Sequence, residues 1–333
     1  MKYLVTGAAG FIGSALSKTL AEKGHNLICV DNFSDYYSKE LKNLRVSKLL
    51  KPHSIDVFNV DVSHKSVIDS LIAKEKPDAV IHLAAQAGVR LSLTDNYKYV
   101  ESNLVGFSNI LSSVVQNEIP SFLYASSSSV YGDNARIPFS EKDTNLNPNS
   151  FYGATKLSNE LLAPTLIRNS KTRSRGLRFF TVYGPWGRPD MAYFRIASSL
   201  LNNKVFSLFG NGEIERDFTY IEDAVSICIS LLNELNTHET GFSDIVNIGG
   251  GRPLSIKFLI SQLEKTLKLK IKLNIIDGSA SDSAITMAAQ DYLTSLIGMH
   301  KFTSLEEGLV LFSNWCESLN SRETLERWIQ SSK

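Results

Sequence analysis

A tyrosine and a lysine four residues apart, Tyr152 and Lys156, are the side chains in this sequence best suited to proton transfer. Residues at positions i and i+4 of a helix lie on the same face, so the phenol and the amine would be neighbours. A phenol with a pKa of about 10 is a poor base at neutral pH, and an adjacent ammonium favours its phenolate form. The pair is therefore predicted to take a proton from a hydroxyl group, with Lys156 also available to hold a ribose.

A glycine-rich turn lies at the start of the chain, where Gly7, Gly10 and Gly13 follow the strand-like run Lys2–Thr6. Glycines permit a tight turn and a close approach of the backbone to a pyrophosphate, which the N-terminus of the following helix stabilises. Asp31 ends a second strand-like run, at the position where a carboxylate accepts hydrogen bonds from a ribose 2′-hydroxyl. Because that carboxylate would repel a 2′-phosphate, the sequence predicts NAD rather than NADP.

Short apolar runs alternate with helix-length segments through the first half of the chain, which predicts a Rossmann-type doubly wound parallel sheet in an α/β fold. After Gly184 the glycine and proline content rises, which predicts a smaller mixed α/β C-terminal substrate lobe. Residues 1–183, with later segments returning, are expected to bind NAD, and residues 184–333 mainly the substrate. The predicted strands are Lys2–Thr6, Asn26–Asp31, Asp56–Val60, Ala79–Ala84, Ser121–Ser126, Gly176–Thr181 and Ile245–Ile248; Met191–Asn202 and Leu305–Cys316 have helical patterns.

Composition excludes several classes of function. A formal net charge of +1 gives no global attraction to nucleic acid or to a membrane surface, and no apolar run is long enough to span a bilayer. The three cysteines lie far apart and the six histidines are scattered, so neither a disulfide framework nor a metal site is expected. A first strand at Lys2 leaves no room for a signal peptide, and we expect a cytoplasmic protein. The four basic residues within Lys171–Arg178 are interpreted as a solvated loop.

The spacing of the glycines and the Tyr-x-x-x-Lys pair resembles that of the extended short-chain dehydrogenase/reductase family. The resemblance implies that Asp61 and Val62 meet the adenine, that residues 82–85 line the cofactor cleft, and that Ser127 is the catalytic hydroxyl that accompanies Tyr152. The cofactor-binding residues implied are Gly7, Gly10, Phe11, Ile12, Gly13, Asp31, Asn32, Asp61, Val62, Leu83, Ala84, Ala85, Tyr152 and Lys156.

Two features separate the sister reactions of that family. Dehydratases carry Asp-Glu, and decarboxylases of UDP-glucuronate a Glu, where this chain has Ser128 and Ser129, so no acid is available to drive elimination. The stretch Arg178–Met191, with its Gly-Arg-Pro-Asp run, closely resembles the UDP-glucuronate 4-epimerase group. That resemblance implies conversion of UDP-glucuronate to UDP-galacturonate through a 4-keto intermediate. A 4-epimerase of neutral or N-acetylated UDP-hexoses and a UDP-glucuronate decarboxylase remain as alternatives.

Hydrogen-bond donors near the sugar acid would matter for this chemistry. A 4-keto uronic acid is a β-keto acid, which loses CO₂ unless its carboxylate is held near the ring plane. Ser128, Ser129, Thr181 and Arg188 are the candidate donors. By resemblance, Arg216 binds the diphosphate, with Arg90 as a weaker candidate, and Phe206 contacts the uracil. The substrate-binding residues are thus expected to be Arg90, Ser127, Ser128, Ser129, Thr181, Arg188, Phe206, Arg216 and Asp282.

The chain departs from the family pattern in the segment 280–289. Asp282 keeps its register there, whereas Ser281 replaces a glycine and Ala289 an aspartate, which affects the predicted nucleotide site. Pro164 lies within a helix predicted over Tyr152–Arg168, and it is expected to kink or locally break that helix. The family uses this helix in a dimer, so a homodimer is expected.

Overall fold

A seven-stranded parallel sheet forms the centre of the computed structural model, which describes residues 1–88, 95–133, 135–277, 284–319 and 321–331. The strands of this sheet are β1 Lys2–Thr6, β2 Asn26–Asp31, β3 Val57–Asn59, β4 Ala79–His82, β5 Ser121–Ser127, β6 Arg173–Phe179 and β10 Ser243–Ile248. Their order across the sheet is β10-β6-β5-β4-β1-β2-β3, and every neighbouring pair is parallel. This arrangement confirms the predicted doubly wound fold.

Helices cover both faces of the sheet, and each face has its own apolar core. On one face Leu16 and Leu20 of the first helix pack with the helix that starts at Ile221, and on the other Ile68, Ile110 and Ile167 close the second core. The helices are α1 Phe11–Glu22, α2 Lys39–Arg45, α3 Lys65–Glu75, α4 Asn96–Tyr99, α5 Gly106–Gln116, α6 Phe151–Ile167, α7 Ala192–Leu201, α8 Ile221–Leu235, α9 Ile256–Leu267, α10 Asp291–Ile297, α11 Leu305–Glu317 and α12 Glu323–Gln330. Among the described residues, none of these helices has the length and apolar character to cross a membrane.

Two smaller sheets lie beside the central one. In the first, β9 (Glu215–Tyr220) lies between the parallel strand β7 (Thr181–Tyr183) and the antiparallel strand β11 (Pro253–Ser255). In the second, β8 (Val205–Phe209) pairs in parallel with β12 (Lys272–Ile276). These sheets come from the C-terminal half, whereas β10 returns to the central sheet. The assignment of residues 1–183 to NAD binding and of residues 184–333 mainly to substrate binding stays a prediction.

The segment around β6 differs from its prediction in two ways. The run Gly176–Thr181 is not one strand: β6 ends at Phe179, and the amide of Val182 donates to the carbonyl of Phe180 at 3.0 Å, which turns the chain into the second sheet. The basic run Lys171–Arg178 lies mostly within β6 and is not a solvated loop, because Arg175 is fully buried and Arg178 nearly so. Both arginines form ion pairs with carboxylates on neighbouring elements, which a count of charges in one segment does not reveal.

Pro164 does not break α6, which excludes one of the two expected outcomes; the other outcome, a kink, stays a prediction. The helix continues to Ile167, and the amide of Arg168 donates to the carbonyl of Pro164 at 3.2 Å. Proline removes one backbone hydrogen bond, but Ala163 and Ile167, on either side of it, are both fully buried. The packing of that face against the sheet therefore maintains the helix.

Candidate active site at the carboxyl edge of the sheet

A cavity of about 1310 Å³ opens at the carboxyl ends of the central strands, and residues at or just after the ends of β1, β2, β4 and β5 line it. In doubly wound sheets this edge is where ligands bind. Two predicted site residues, Arg90 and Asp282, lie outside the described residues. All the other predicted residues line the cavity: Gly7, Gly10, Phe11, Ile12, Gly13, Asp31, Asn32, Asp61, Val62, Leu83, Ala84, Ala85, Ser127, Ser128, Ser129, Tyr152, Lys156, Thr181, Arg188, Phe206 and Arg216.

The glycine-rich turn fits the pyrophosphate of NAD. Gly7 has a left-handed φ of +71°, and a Cβ atom there would lie 2.7 Å from the amide nitrogen of Ala84. At Gly13 a Cβ would lie 2.1 Å from the carbonyl oxygen of Gly7, so the turn closes only without side chains. Helix α1 begins at Phe11, between the second and third glycines of this turn. Its free amide groups and positive end are therefore available to a diphosphate.

The carboxylate of Asp31 is held at the end of β2 by its own neighbours. It accepts hydrogen bonds from the amides of Ala9 at 3.1 Å and Phe33 at 2.8 Å. Lys42, on α2, lies 3.9 Å from the same carboxylate and is almost completely buried. Sequence reasoning missed Lys42, and its position one turn before the end of α2 gave no signal. Asp31 thus lies at the cavity wall, where it could meet the ribose of the dinucleotide.

Tyr152 and Lys156 lie together in the first two turns of α6, which begins after the N-cap Ser150. The Lys156 ammonium is 5.9 Å from the centre of the Tyr152 ring, and it donates to the carbonyl of Ala125 at 2.9 Å. Burial lowers the pKa of Lys156 to about 8, although the carboxylate of Glu160 acts in the opposite direction. The pKa of Tyr152 is raised by burial, against the opposing effects of Arg188 and a hydrogen bond from Ser127.

Burial is the largest effect on the Tyr152 phenol, and it holds the pKa of Tyr152 above its ordinary value. The expected effect of Lys156 on that pKa stays a prediction. Further positive charge at the site is needed to favour the phenolate.

A buried ion pair between Glu160 and Arg178 connects α6 to the central sheet. The carboxylate of Glu160 accepts hydrogen bonds from Nε and Nη2 of Arg178 at 2.9 and 2.8 Å and from the hydroxyl of Ser126 at 2.5 Å. Glu160 lies one turn after Lys156, and Ser126 directly precedes Ser127. The carboxylate of Glu160 therefore ties α6, which holds the tyrosine and the lysine, to β6 through Arg178. Through Ser126 it also ties α6 to the end of β5, which holds the serines.

Three hydroxyls extend the site from the end of β5. The Ser127 hydroxyl donates to that of Ser129 at 3.1 Å and accepts the amide of Ser129 at 3.2 Å, in a short 3₁₀ turn. Ser128 and Ser129 are half-buried at the cavity wall, and Thr181 faces the same cavity from the first position of β7. The four side chains supply hydrogen-bond donors and no charge.

Arg188 is engaged by a carboxylate that the sequence reasoning did not consider. Its Nε donates to Oδ1 of Asp190 at 3.0 Å, and the hydroxyl of Tyr36 donates to Oδ2 of the same aspartate at 3.0 Å. Burial would raise the pKa of Asp190, but the Arg188 charge and these hydrogen bonds hold it below its usual range. The Gly-Arg-Pro-Asp run itself contained this signal, because Asp190 follows Arg188 by two residues.

Other cavity residues lie toward the C-terminal half. Arg216, on β9, donates to the carbonyl of Glu215 at 2.8 Å, and Phe206 lies on β8. Arg195, on α7, and Tyr193 also line this wall, and neither was predicted. Within the described part of the chain, no group of three or more histidine, cysteine or acidic side chains is arranged to hold a metal ion.

Comparison with known proteins assigns the family. A model of the NAD dependent epimerase/dehydratase family matches residues 3–249, which is well over half of the chain. The chain belongs to this family. Its NAD dependence agrees with the glycine turn and with Asp31, and it confirms the expected cofactor. The expected resemblance to extended short-chain dehydrogenases and reductases is confirmed as well.

Relatives within the family have narrower names. UDP-glucuronate 4-epimerase 3 of Arabidopsis thaliana is 40% identical over 94% of this chain and 75% of its own length. A probable UDP-glucuronate 4-epimerase of Rhizobium meliloti is 35% identical over 95% of this chain and 96% of its own. The solved UDP-glucuronic acid 4-epimerase of Bacillus cereus, in complex with UDP-glucuronic acid and NAD, superposes with a TM-score of 0.87 at 32% identity, covering 95% of this chain and 99% of that one.

Proposed function

We propose that this protein is a UDP-glucuronate 4-epimerase, which inverts C4 of UDP-glucuronate to give UDP-galacturonate and keeps its NAD bound. NAD occupies the lobe formed mainly by residues 1–183, and the sugar nucleotide that formed mainly by residues 184–333. The observation that carries the proposal is the acid-free turn Ser127–Ser129 in the same cavity as Tyr152 and Lys156. Relatives and a solved neighbour that carry this name over nearly the whole chain support it.

Proton transfer is the task of the chain's own residues. Bound NAD supplies a hydride acceptor, whose positive ring also adds the charge that favours the phenolate of Tyr152. Tyr152 takes the proton of the C4 hydroxyl as C4 is oxidised to a ketone, and Ser127 donates a hydrogen bond to the oxygen. Lys156, charged below a pH of about 8, stabilises the phenolate and binds the nicotinamide ribose. The 4-keto sugar then rotates within the site and presents the opposite face of C4 for reduction. Tyr152 returns the proton to the C4 oxygen.

The sugar carboxylate must be restrained while C4 is a ketone. Ser128, Ser129 and Thr181 donate hydrogen bonds that hold it near the ring plane, where loss of CO₂ is disfavoured. Arg188 adds a charge-assisted contact and keeps Asp190 as its second partner. The cavity wall that follows residue 183, as far as it is described, contains Arg188, Arg195 and Arg216 against the single carboxylate of Asp190, which suits an anionic diphosphate and sugar acid.

Incubation of the purified protein with UDP-glucuronate, without added cofactor, tests the assignment. Products are separated by anion-exchange chromatography. We expect UDP-galacturonate alone. A UDP-pentose as the main product would make the protein a decarboxylase, and turnover of UDP-glucose or UDP-N-acetylglucosamine in place of UDP-glucuronate would make it a neutral-sugar epimerase.

The carboxylate restraint has its own test. Thr181→Val removes one donor at nearly constant volume, and we expect a higher KM for UDP-glucuronate or a measurable UDP-pentose by-product. Thr237→Val removes a hydroxyl at an exposed position after α8 and serves as the matched control. Unchanged KM and no pentose in Thr181→Val would show that Thr181 does not hold the carboxylate.

The protein forms a homodimer through the outer face of α6. Leu161, Leu162 and Leu166 are 65%, 41% and 44% exposed on this helix, an apolar surface that association would cover. Leu161→Glu should yield a monomer in light scattering, and an unaltered dimer would show that another face associates. A cytoplasmic location agrees with three free, buried cysteines.

A further inference from the structure

Arg45, the last residue of α2, is fully buried and lies behind the glycine-rich turn. Within the described ranges, no carboxylate forms an ion pair with it. Its guanidinium instead donates to neutral oxygens from three separate segments, namely the carbonyls of Ala9 (3.1 Å), Trp186 (2.8 Å) and Gly187 (2.9 Å) and the hydroxyl of Tyr37 (2.6 Å). A buried charge without a counter-ion is costly, so these four bonds compensate for its desolvation.

The first of these segments is the NAD-binding turn. Ala9 lies between Gly7 and Gly13, and both of its backbone polar groups are held: its amide donates to Asp31 at 3.1 Å, and its carbonyl accepts from Arg45. A shift of Arg45 would therefore move the backbone that receives the pyrophosphate.

The second segment leads to the substrate side of the cavity. Trp186 has a left-handed φ of +64°, unusual for a residue with a large side chain, and Gly187 has no room for a Cβ, which would lie 1.6 Å from the hydroxyl of Tyr193. Nε and Nη2 of Arg45 donate to the carbonyls of these two consecutive residues, and Arg188 is the next residue in the chain. The conformation that presents Arg188 to the cavity is thus held by the same guanidinium.

We propose that Arg45 is a positioning residue that joins the NAD-binding turn to the Trp186–Arg188 segment, so that cofactor retention and sugar-nucleotide affinity depend on one buried side chain. Arg45 touches neither ligand itself; it acts through Ala9 on one side and Arg188 on the other. Because the guanidinium fork spans two successive carbonyls and also reaches Ala9, a lysine of equal charge cannot replace it.

Arg45→Lys tests the proposal, with Arg45→Met as a second variant. The first readout is the NAD released by acid from each purified variant, and the second is the KM and kcat for UDP-glucuronate with NAD in excess. We expect Arg45→Lys to lose most of its retained NAD and to show a KM raised by about tenfold with a much smaller change in kcat, since charge-assisted hydrogen bonds are removed. Arg45→Met should lose at least as much NAD.

The matched control is Arg327→Met, which removes an exposed arginine that pairs with Glu40 on the outer side of the same helix. It should leave NAD content and KM unchanged. An Arg45→Lys protein with full NAD content and unaltered KM would overturn the proposal, as would a loss of thermal stability alone. The KM readout rests on the proposed function, whereas NAD content does not; should UDP-glucuronate not be the substrate, NAD content decides.

Discussion

Glu160→Gln removes the charge of one member of the buried pair that supports the active site. Glu160 and Arg178 expose only 4% and 3% of their side chains, so the substitution leaves an uncompensated guanidinium in the interior. Breaking such a pair costs about 3 kcal/mol or more, and we expect the free energy of unfolding to fall by that amount. Urea denaturation of variants with equal NAD content measures it.

The same substitution should change the pH dependence of the reaction. The Glu160 carboxylate raises the pKa of Lys156, opposing the effect of burial, so its loss lowers that pKa further below about 8. Because Lys156 acts in its charged form, kcat/KM should begin to decline at a lower pH than in the unaltered protein. The assay is the pH profile of kcat/KM between pH 6 and 9.5, values that bracket the pKa of about 8.

Two further variants make this prediction refutable. Glu118→Gln breaks an exposed pair with Lys171 and should cost less than about 1 kcal/mol. Glu160→Leu combined with Arg178→Met replaces both charges by apolar side chains and should be less destabilised than Glu160→Gln. A Glu160→Gln protein as stable as the Glu118→Gln control, with an unshifted alkaline limb, would refute the reasoning.

Three other predictions follow from the site. Tyr152→Phe should lower kcat by about 10²–10⁴-fold while the bound NAD remains, since only the proton acceptor is lost; an assay of product and of released NAD checks both. Gly13→Ala places a Cβ 2.1 Å from the carbonyl oxygen of Gly7, so the purified variant should contain little NAD; a full complement of NAD would contradict the fit of the turn. In the unaltered protein, kcat/KM should decline above a pH of about 8, as Lys156 loses its proton; a profile that stays flat to pH 9.5 would show that the charged lysine is not needed.

The central sheet was largely predictable because local patterns specify it. Lys2–Thr6 and Asn26–Asp31 are apolar runs between turn residues, and the structure gives both strands the predicted bounds. The glycine turn and the Tyr152–Lys156 pair were predictable for a similar reason, because their residue types and spacing express the geometry directly. All the described residues predicted for the site line one cavity.

What could not be predicted depends on partners distant in sequence. The burial of Arg175 and Arg178 is set by carboxylates on other elements, and a count of charges within one segment suggested a solvated loop instead. The helix at Pro164 continues because its buried face packs on the sheet, a tertiary effect that outweighs the local tendency of proline. Arg45 had no signal in the sequence, since all its acceptors lie on other segments.

The most direct test of the account follows the hydrogen at C4. UDP-glucuronate labelled with deuterium at C4 is incubated with the protein in ordinary water without added NAD, and the product is examined by proton NMR. The account predicts UDP-galacturonate that retains the deuterium at C4, because the same hydride leaves and returns within the cavity. Loss of the label to solvent, or inversion at another carbon, would contradict it.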